Sequence, residues 1–225
     1  MIPREHLATA HVPGGAELRL VRRGADFMIL MERNELMNSR MSWSEEALAI
    51  RTCTRLASAG CRAPHLLIGG YGMGFTLRAA LAALPPDARA TVAEIVPEII
   101  DWARGPMAAL TGESLDDPRV TLVFEDVARM IANARGTYDA ILLDVDNGPD
   151  GLSRAGNEWL YVPAGLAAAK AALRPGGVLA VWSAGSDDSF TRRLRDAGFA
   201  VEEVVVKARA NGKGPRHVIW FATKR

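Results

Sequence analysis

From Pro64 onward the chain alternates short apolar runs with helix-like segments, and this rhythm constrains the fold more than any other feature of the sequence. The apolar runs are His65–Ile68, Ala90–Glu94, Val120–Phe124, Ala140–Asp144 and Val178–Ser183; helical patterns follow them over 74–84, 97–110, 127–134, about 158–173 and 187–197. Strands that are apolar on both faces and separated by helices form a parallel sheet covered on both sides. The last two runs, Ala200–Val206 and His217–Ala222, have only the polar, glycine-containing segment Lys207–Pro215 between them, too short for a crossover helix, so they pair antiparallel. The expected fold is α/β: a doubly wound, mostly parallel, seven-stranded Rossmann-like sheet ending in an antiparallel hairpin.

Before this domain, Glu17–Arg22 and Phe27–Met31 flank Arg23-Gly24-Ala25-Asp26 and read as a β-hairpin. Ser42 then offers a cap for a helix that carries Glu45 and Glu46 in its first turn and runs to Gly60. The expected organisation is an N-terminal hairpin region over 1–41 and a sheet domain over 42–225. Composition excludes several classes. With 49% hydrophobic and 24% charged residues the chain is not mainly disordered, and a formal net charge of +1 offers no overall basic field to gather nucleic acid. No run approaches the roughly 18 apolar residues of a membrane span, and the start lacks the apolar stretch of a signal peptide, so a cytoplasmic protein without a membrane partner is expected. Cys53 and Cys61 cannot build a disulfide framework, and the histidines at 6, 11, 65 and 217 show no metal-ligand spacing, so no metal site is expected. The basic run Lys207, Arg209, Lys213, Arg216 and His217 reads as a solvated hairpin tip.

Sheets of this type bind ligands at the carboxyl ends of their strands. The first strand ends in Leu67-Ile68-Gly69-Gly70-Tyr71-Gly72-Met73-Gly74, a turn whose missing side chains let a ligand approach backbone N–H groups at a helix start. Phe75 stands where a dinucleotide fingerprint would place a third small residue, which weakens a nicotinamide-dinucleotide reading. Glu94, twenty residues past Gly74, can accept both hydroxyls of a ribose. Asp126 follows the third strand and can cap the next helix, accept an adenine amino group, or do both. The fourth strand runs into Asp144-Val145-Asp146-Asn147-Gly148, where Asp144 and Asp146 are candidates for a base or an acceptor-orienting group. A solvated turn and a set of oxygen ligands for Mg²⁺ are the competing readings of that loop.

In this order of motifs the chain resembles the spermidine synthase-like proteins of the class I S-adenosylmethionine-dependent methyltransferase superfamily. The resemblance sets the family's GGGDGG turn on Gly69, Gly70, Tyr71, Gly72, Met73 and Gly74, its ribose acid on Glu94 with Ile95 beside it, its adenine contact on Asp126 and Val127, and its DSSDP loop on Asp144 to Gly148. It implies acceptor contacts from Glu46, the one residue by which Ser44-Glu45-Glu46 resembles the family's Tyr-His-Glu-type motif, and from Asn147, while Trp43 ahead of the first helix could close over a sulfonium cation. Three departures concern the amine, one of them Asn147, which stands at the second acid of the DSSDP loop and thins the anionic trough for a polyamine. The acid that in the family holds the amine of decarboxylated S-adenosylmethionine is Gly72 here, and the tyrosine of the Leu-Phe-x-x-x-Phe-Tyr stretch is Leu166. These departures favour S-adenosylmethionine as cofactor and methyl transfer to a small or medium-sized acceptor. Aminopropyl transfer from decarboxylated S-adenosylmethionine is the alternative, and a non-enzymatic adenosine-binding scaffold is the second alternative. A homodimer is compatible with any of them.

Overall fold

The computed structural model describes residues 2–32, 34–145, 147–149 and 155–225, the side chain of Ala155 excepted. The seven-stranded sheet is formed by β5 (His65–Gly69), β6 (Arg89–Ala93), β7 (Val120–Val123), β8 (Tyr138–Leu143), β9 (Leu173–Ser183), β10 (Phe199–Lys207) and β11 (Arg216–Lys224), in the order β10-β11-β9-β8-β5-β6-β7. The neighbours from β9 through β7 are parallel, whereas β11 pairs antiparallel with both β9 and β10. All six residues of β8 are buried, as a central strand covered on both faces requires. The helices are α1 (Trp43–Ser58), α2 (Phe75–Ala83), α3 (Pro97–Arg104), α4 (Ala108–Thr111), α5 (Val127–Asn133), α6 (Pro163–Ala172) and α7 (Asp188–Asp196).

Two expected helices are interrupted. The pattern over 97–110 divides into α3 and α4 at Gly105-Pro106, because proline has no N–H to donate and disfavours helical geometry in the residue before it. The pattern near 158–173 becomes a 3₁₀ segment, Ala155–Tyr161, followed by α6, whose first residue is Pro163, a position where the missing N–H costs nothing.

The N-terminal region is larger than a hairpin. Four antiparallel strands, β1 (Glu5–His11), β2 (Glu17–Arg23), β3 (Asp26–Met31) and β4 (Asn34–Asn38), form a meander in chain order. Only one residue of β1 and one of β4 is buried. Such edge strands carry too little apolar alternation to stand out in a sequence. Ala10, Leu18, Leu20, Phe27 and Ile29 belong to the same hydrophobic cluster as Leu48 of α1, Ile68 of β5 and Val92 of β6, so the meander and the α/β body share one core.

A shared core implies cooperative unfolding. Leu20 is fully buried, and Leu20→Ala is expected to cost about 2–5 kcal/mol in a single transition followed by both near-ultraviolet and far-ultraviolet circular dichroism. Two resolved transitions would mean that the meander folds on its own.

Candidate active site

A cavity opens where the carboxyl ends of β5, β6 and β8 meet the N-terminal meander. Its floor includes Gly70, Gly72, Glu94 and Asp144, and its apolar roof comes from Leu18, Ile29, Met31 and Met37. The glycine turn is held in place by Glu94, a buried residue whose Oε2 accepts the Tyr71 N–H at 2.9 Å and whose Oε1 accepts the Val96 N–H at 2.8 Å. Burial pushes the Glu94 carboxyl upward, while the backbone N–H groups of Tyr71, Val96, Ile95 and Gly72 pull it back.

The four glycines divide by task. Gly70 and Gly72 line the cavity, both with positive φ. A side chain at Gly70 would meet the Asp144 carbonyl at 3.0 Å, and one at Gly72 would meet Sδ of Met37 at 2.6 Å. Gly69 instead packs against Val127, and Gly74 lies under the Tyr71 hydroxyl; neither lines the cavity. Ile95, Asp126 and Val127 do line it. Asp126 also caps α5, its Oδ1 accepting the Ala128 N–H at 2.8 Å.

Asp144 stands half-buried at the end of β8, with its Oδ2 accepting the Thr76 hydroxyl at 2.9 Å. Burial raises its carboxyl from an ordinary 3.8 to about 6, against the pull of that hydrogen bond. Facing the same cavity is Glu45 of α1, buried more deeply. Burial first, and then the negative charge of Asp144, lift the Glu45 carboxyl from 4.5 to about 8, while the Ser44 hydroxyl, which donates to Oε2 of the ionised form, pulls it down. Near neutral pH the two carboxyls therefore share about one proton between them.

Several expectations are corrected by this geometry. Glu46 is one step of about 100° further round α1 and lines a separate surface depression with Ile50, Phe75 and Arg78; the helix turns Glu45, not Glu46, into the cavity. Trp43 is an exposed residue at the start of α1, its N–H bonded to the Ala208 carbonyl, and it is not part of the cavity wall. Leu166 is fully buried in the core beneath α6 and does not line the cavity. Asn147 is exposed at the cavity mouth, and Asp146 lies outside the described residues. Among the described residues no three His, Cys, Asp or Glu side chains converge as metal ligands, and no helix is long and apolar enough to cross a membrane. Sequence reasoning missed Glu45, Met37 and Trp182 as wall residues. The helical phase of α1 carried a signal for Glu45, because the buried positions 44, 45, 48, 49 and 52 share one face.

A parallel sheet closed by the β10–β11 hairpin, with a glycine turn, a ribose-spaced acid and a carboxylate at successive strand ends, defines a class I methyltransferase-like α/β protein. Residues 59–187 match the Spermine/spermidine synthase domain, more than half of the chain, and the protein belongs to that family. Solved structures with the same fold include a spermidine synthase in complex with the transition-state analogue AdoDATO, with TM-score 0.74 and 18% identity over 98% of this chain and 72% of that one. The spermidine synthase from Thermotoga maritima superposes with TM-score 0.75 at 16% identity, covering 98% of this chain and 73% of that one. Among curated proteins, putrescine N-methyltransferase 4 of Nicotiana tabacum is 39% identical over 115 residues, 51% of this chain and 28% of the relative. The polyamine aminopropyltransferase of Corynebacterium efficiens is 28% identical over 186 residues, 80% of this chain and 33% of the relative. The chain thus spans about a third of the length of these curated relatives.

The raised carboxyls give a pH signature of known sign. A carboxyl that titrates near 4.5 when unfolded and near 8 when folded contributes stability that is full below the lower value and is lost as pH rises through the higher one. Asp144 contributes in the same direction between its own two values. Glu45→Gln removes the larger of the two titrations. Relative to this variant, the melting temperature of the parent is expected to fall steadily from about pH 5 to about pH 9. A parent-to-variant difference independent of pH would show that Glu45 titrates normally.

Proposed function

We propose that the protein transfers an alkyl group from the sulfonium centre of an adenosine nucleoside to a polyamine-type amine, with aminopropyl transfer from decarboxylated S-adenosylmethionine as its leading form. The observation that carries this reading is the Asp144–Glu45 pair on a cavity otherwise roofed by apolar side chains, beside the Gly70–Gly72 turn. An ionised carboxylate in such surroundings attracts a cationic amine and can take its proton. The names of the relatives, a polyamine aminopropyltransferase and a putrescine N-methyltransferase, point to the same kind of acceptor. Membership of the spermine/spermidine synthase family reverses the order expected from Gly72 and Leu166, since Leu166 does not reach the cavity.

The residues fit the nucleoside. Glu94 would meet the ribose hydroxyls and Asp126 and Val127 the adenine, and two glycines leave the floor open to a close approach. When bound, the nucleoside supplies an alkyl carbon made electrophilic by its positive sulfur. Asp144 would hold the acceptor amine and accept its proton, Thr76 fixes the orientation of that carboxylate, and the apolar roof excludes water that would compete for the site.

A second reading, methyl transfer from S-adenosylmethionine to the same class of amine, is favoured by one feature: Gly72 offers no anchoring acid, and the thioether of Met37 fills the space beside it. Incubation of the purified protein with putrescine and each donor in turn separates the readings. Methylthioadenosine is expected from the decarboxylated donor; S-adenosylhomocysteine alone would establish the second reading, and neither product would leave a non-catalytic scaffold. Asp144→Asn is expected to lower turnover by at least about a hundredfold with donor affinity retained, as measured by single-turnover kinetics and calorimetry.

A further inference from the structure

Glu45 is linked through Ser44 to the last strand of the sheet. Ser44 Oγ contacts Glu45 Oε2 on one side and His217 Nδ1 at 2.8 Å on the other. Ser44 is fully buried, while His217, on β11 where the hairpin strands emerge, is half-buried and outside the cavity wall. The Trp182 ring packs edge-on against the His217 imidazole with ring centroids 4.8 Å apart, and it also forms part of the cavity wall. A row of exchangeable groups thus leads from Glu45 through Ser44 to the half-buried His217, beside an aromatic wall.

We propose that the proton displaced from the acceptor amine leaves the buried site along Glu45, Ser44 Oγ and His217. The inference rests on the amine-alkylation reading above. In that reaction an acceptor ammonium becomes an alkylated ammonium: the new N–C bond forms, the C–S pair departs with the neutral thioether, and one proton is released for each turnover. Asp144 takes that proton, and the pair, which already holds one, must shed one.

With Glu45 protonated, its O–H donates to Ser44 Oγ, the Ser44 O–H donates to Nδ1 of His217, and the ring carries its hydrogen on Nε2. A shift of one proton along each bond leaves Glu45 ionised and makes His217 an imidazolium, which releases its Nε2 proton to water. The ring is left as the Nδ1–H tautomer, and exchange with solvent resets it. Burial lowers the His217 pKa, so the imidazolium is short-lived at neutral pH, as a relay requires. The groups that face this row are Asp144 from the end of β8, Thr76 from α2 and Glu46 from α1 itself, with Trp182 of β9 against the imidazole.

The test has one arm that needs no substrate. In protein labelled with ¹⁵N-histidine, the His217 signals, identified by their loss in His217→Gln, are followed across the alkaline titration of Glu45. Nδ1 is expected to change from an acceptor below that titration to an N–H donor above it, and Ser44→Ala and Glu45→Gln are each expected to abolish the change. Invariant ring signals, or a change that persists in either variant, would overturn the proposal whatever the enzyme's donor. The second arm uses the active donor–acceptor pair. Ser44→Ala and His217→Ala are expected to lower kcat roughly tenfold or more at unchanged donor KM, with added imidazole restoring turnover in His217→Ala. Full kcat in both folded variants would overturn the relay, and the absence of any turnover by the parent would count against the parent reading while the titration still decides the wiring.

Discussion

The Glu94 carboxylate holds the site together. By accepting N–H groups from Tyr71 and Val96, it fastens the glycine turn after β5 to the connection after β6, two adjacent parallel strands whose ends would otherwise be separate loops. A buried carboxylate is costly unless its charge is met by donors, and here backbone N–H groups meet it. The floor of the cavity is therefore preorganised before any ligand arrives, with Gly70 and Gly72 held in left-handed conformations.

On that floor two carboxyls face each other. Burial raises both Asp144 and Glu45, and Glu45 is lifted further because it also meets the negative charge of Asp144. Two carboxylates close together in a poorly solvated space cannot both ionise easily, and the same repulsion that lifts Glu45 leaves Asp144 available as the anion. The N-terminal meander supplies the poor solvation. It roofs the site with aliphatic and thioether groups and shares its core with the sheet domain, so the site is complete only when both parts are folded.

Much of the fold was legible because parallel strands buried on both faces read as uninterrupted apolar runs, and the order of the seven runs matches the order of the seven strands. The outer strands of the meander were not, since β1 and β4 each bury a single residue and are held by pairing with β2 and β3. At the site, Glu94, Asp126 and Asp144 were legible from their places at strand ends, where connectivity dictates direction. Glu46 and Trp43 were misplaced because a helix gives each successive residue a different face, and a motif register one residue off selects the wrong one. Leu166 was misread for a related reason: its spacing suggests an acceptor contact, but α6 presents it to the core.

The sequence by itself determined the βα alternation, the glycine turn and the acids that follow the strands, because these are local properties of the chain: which residues lack side chains, which are apolar on both faces, and which come next. Only the tertiary structure decided that Met37, thirty-five residues before Gly72, takes the space a side chain there would need, that Glu45 opposes Asp144, and that His217 reaches Ser44 from the last strand. Those relations join segments far apart in sequence through a common packed core, and close packing, which no local pattern encodes, sets which of their side chains meet.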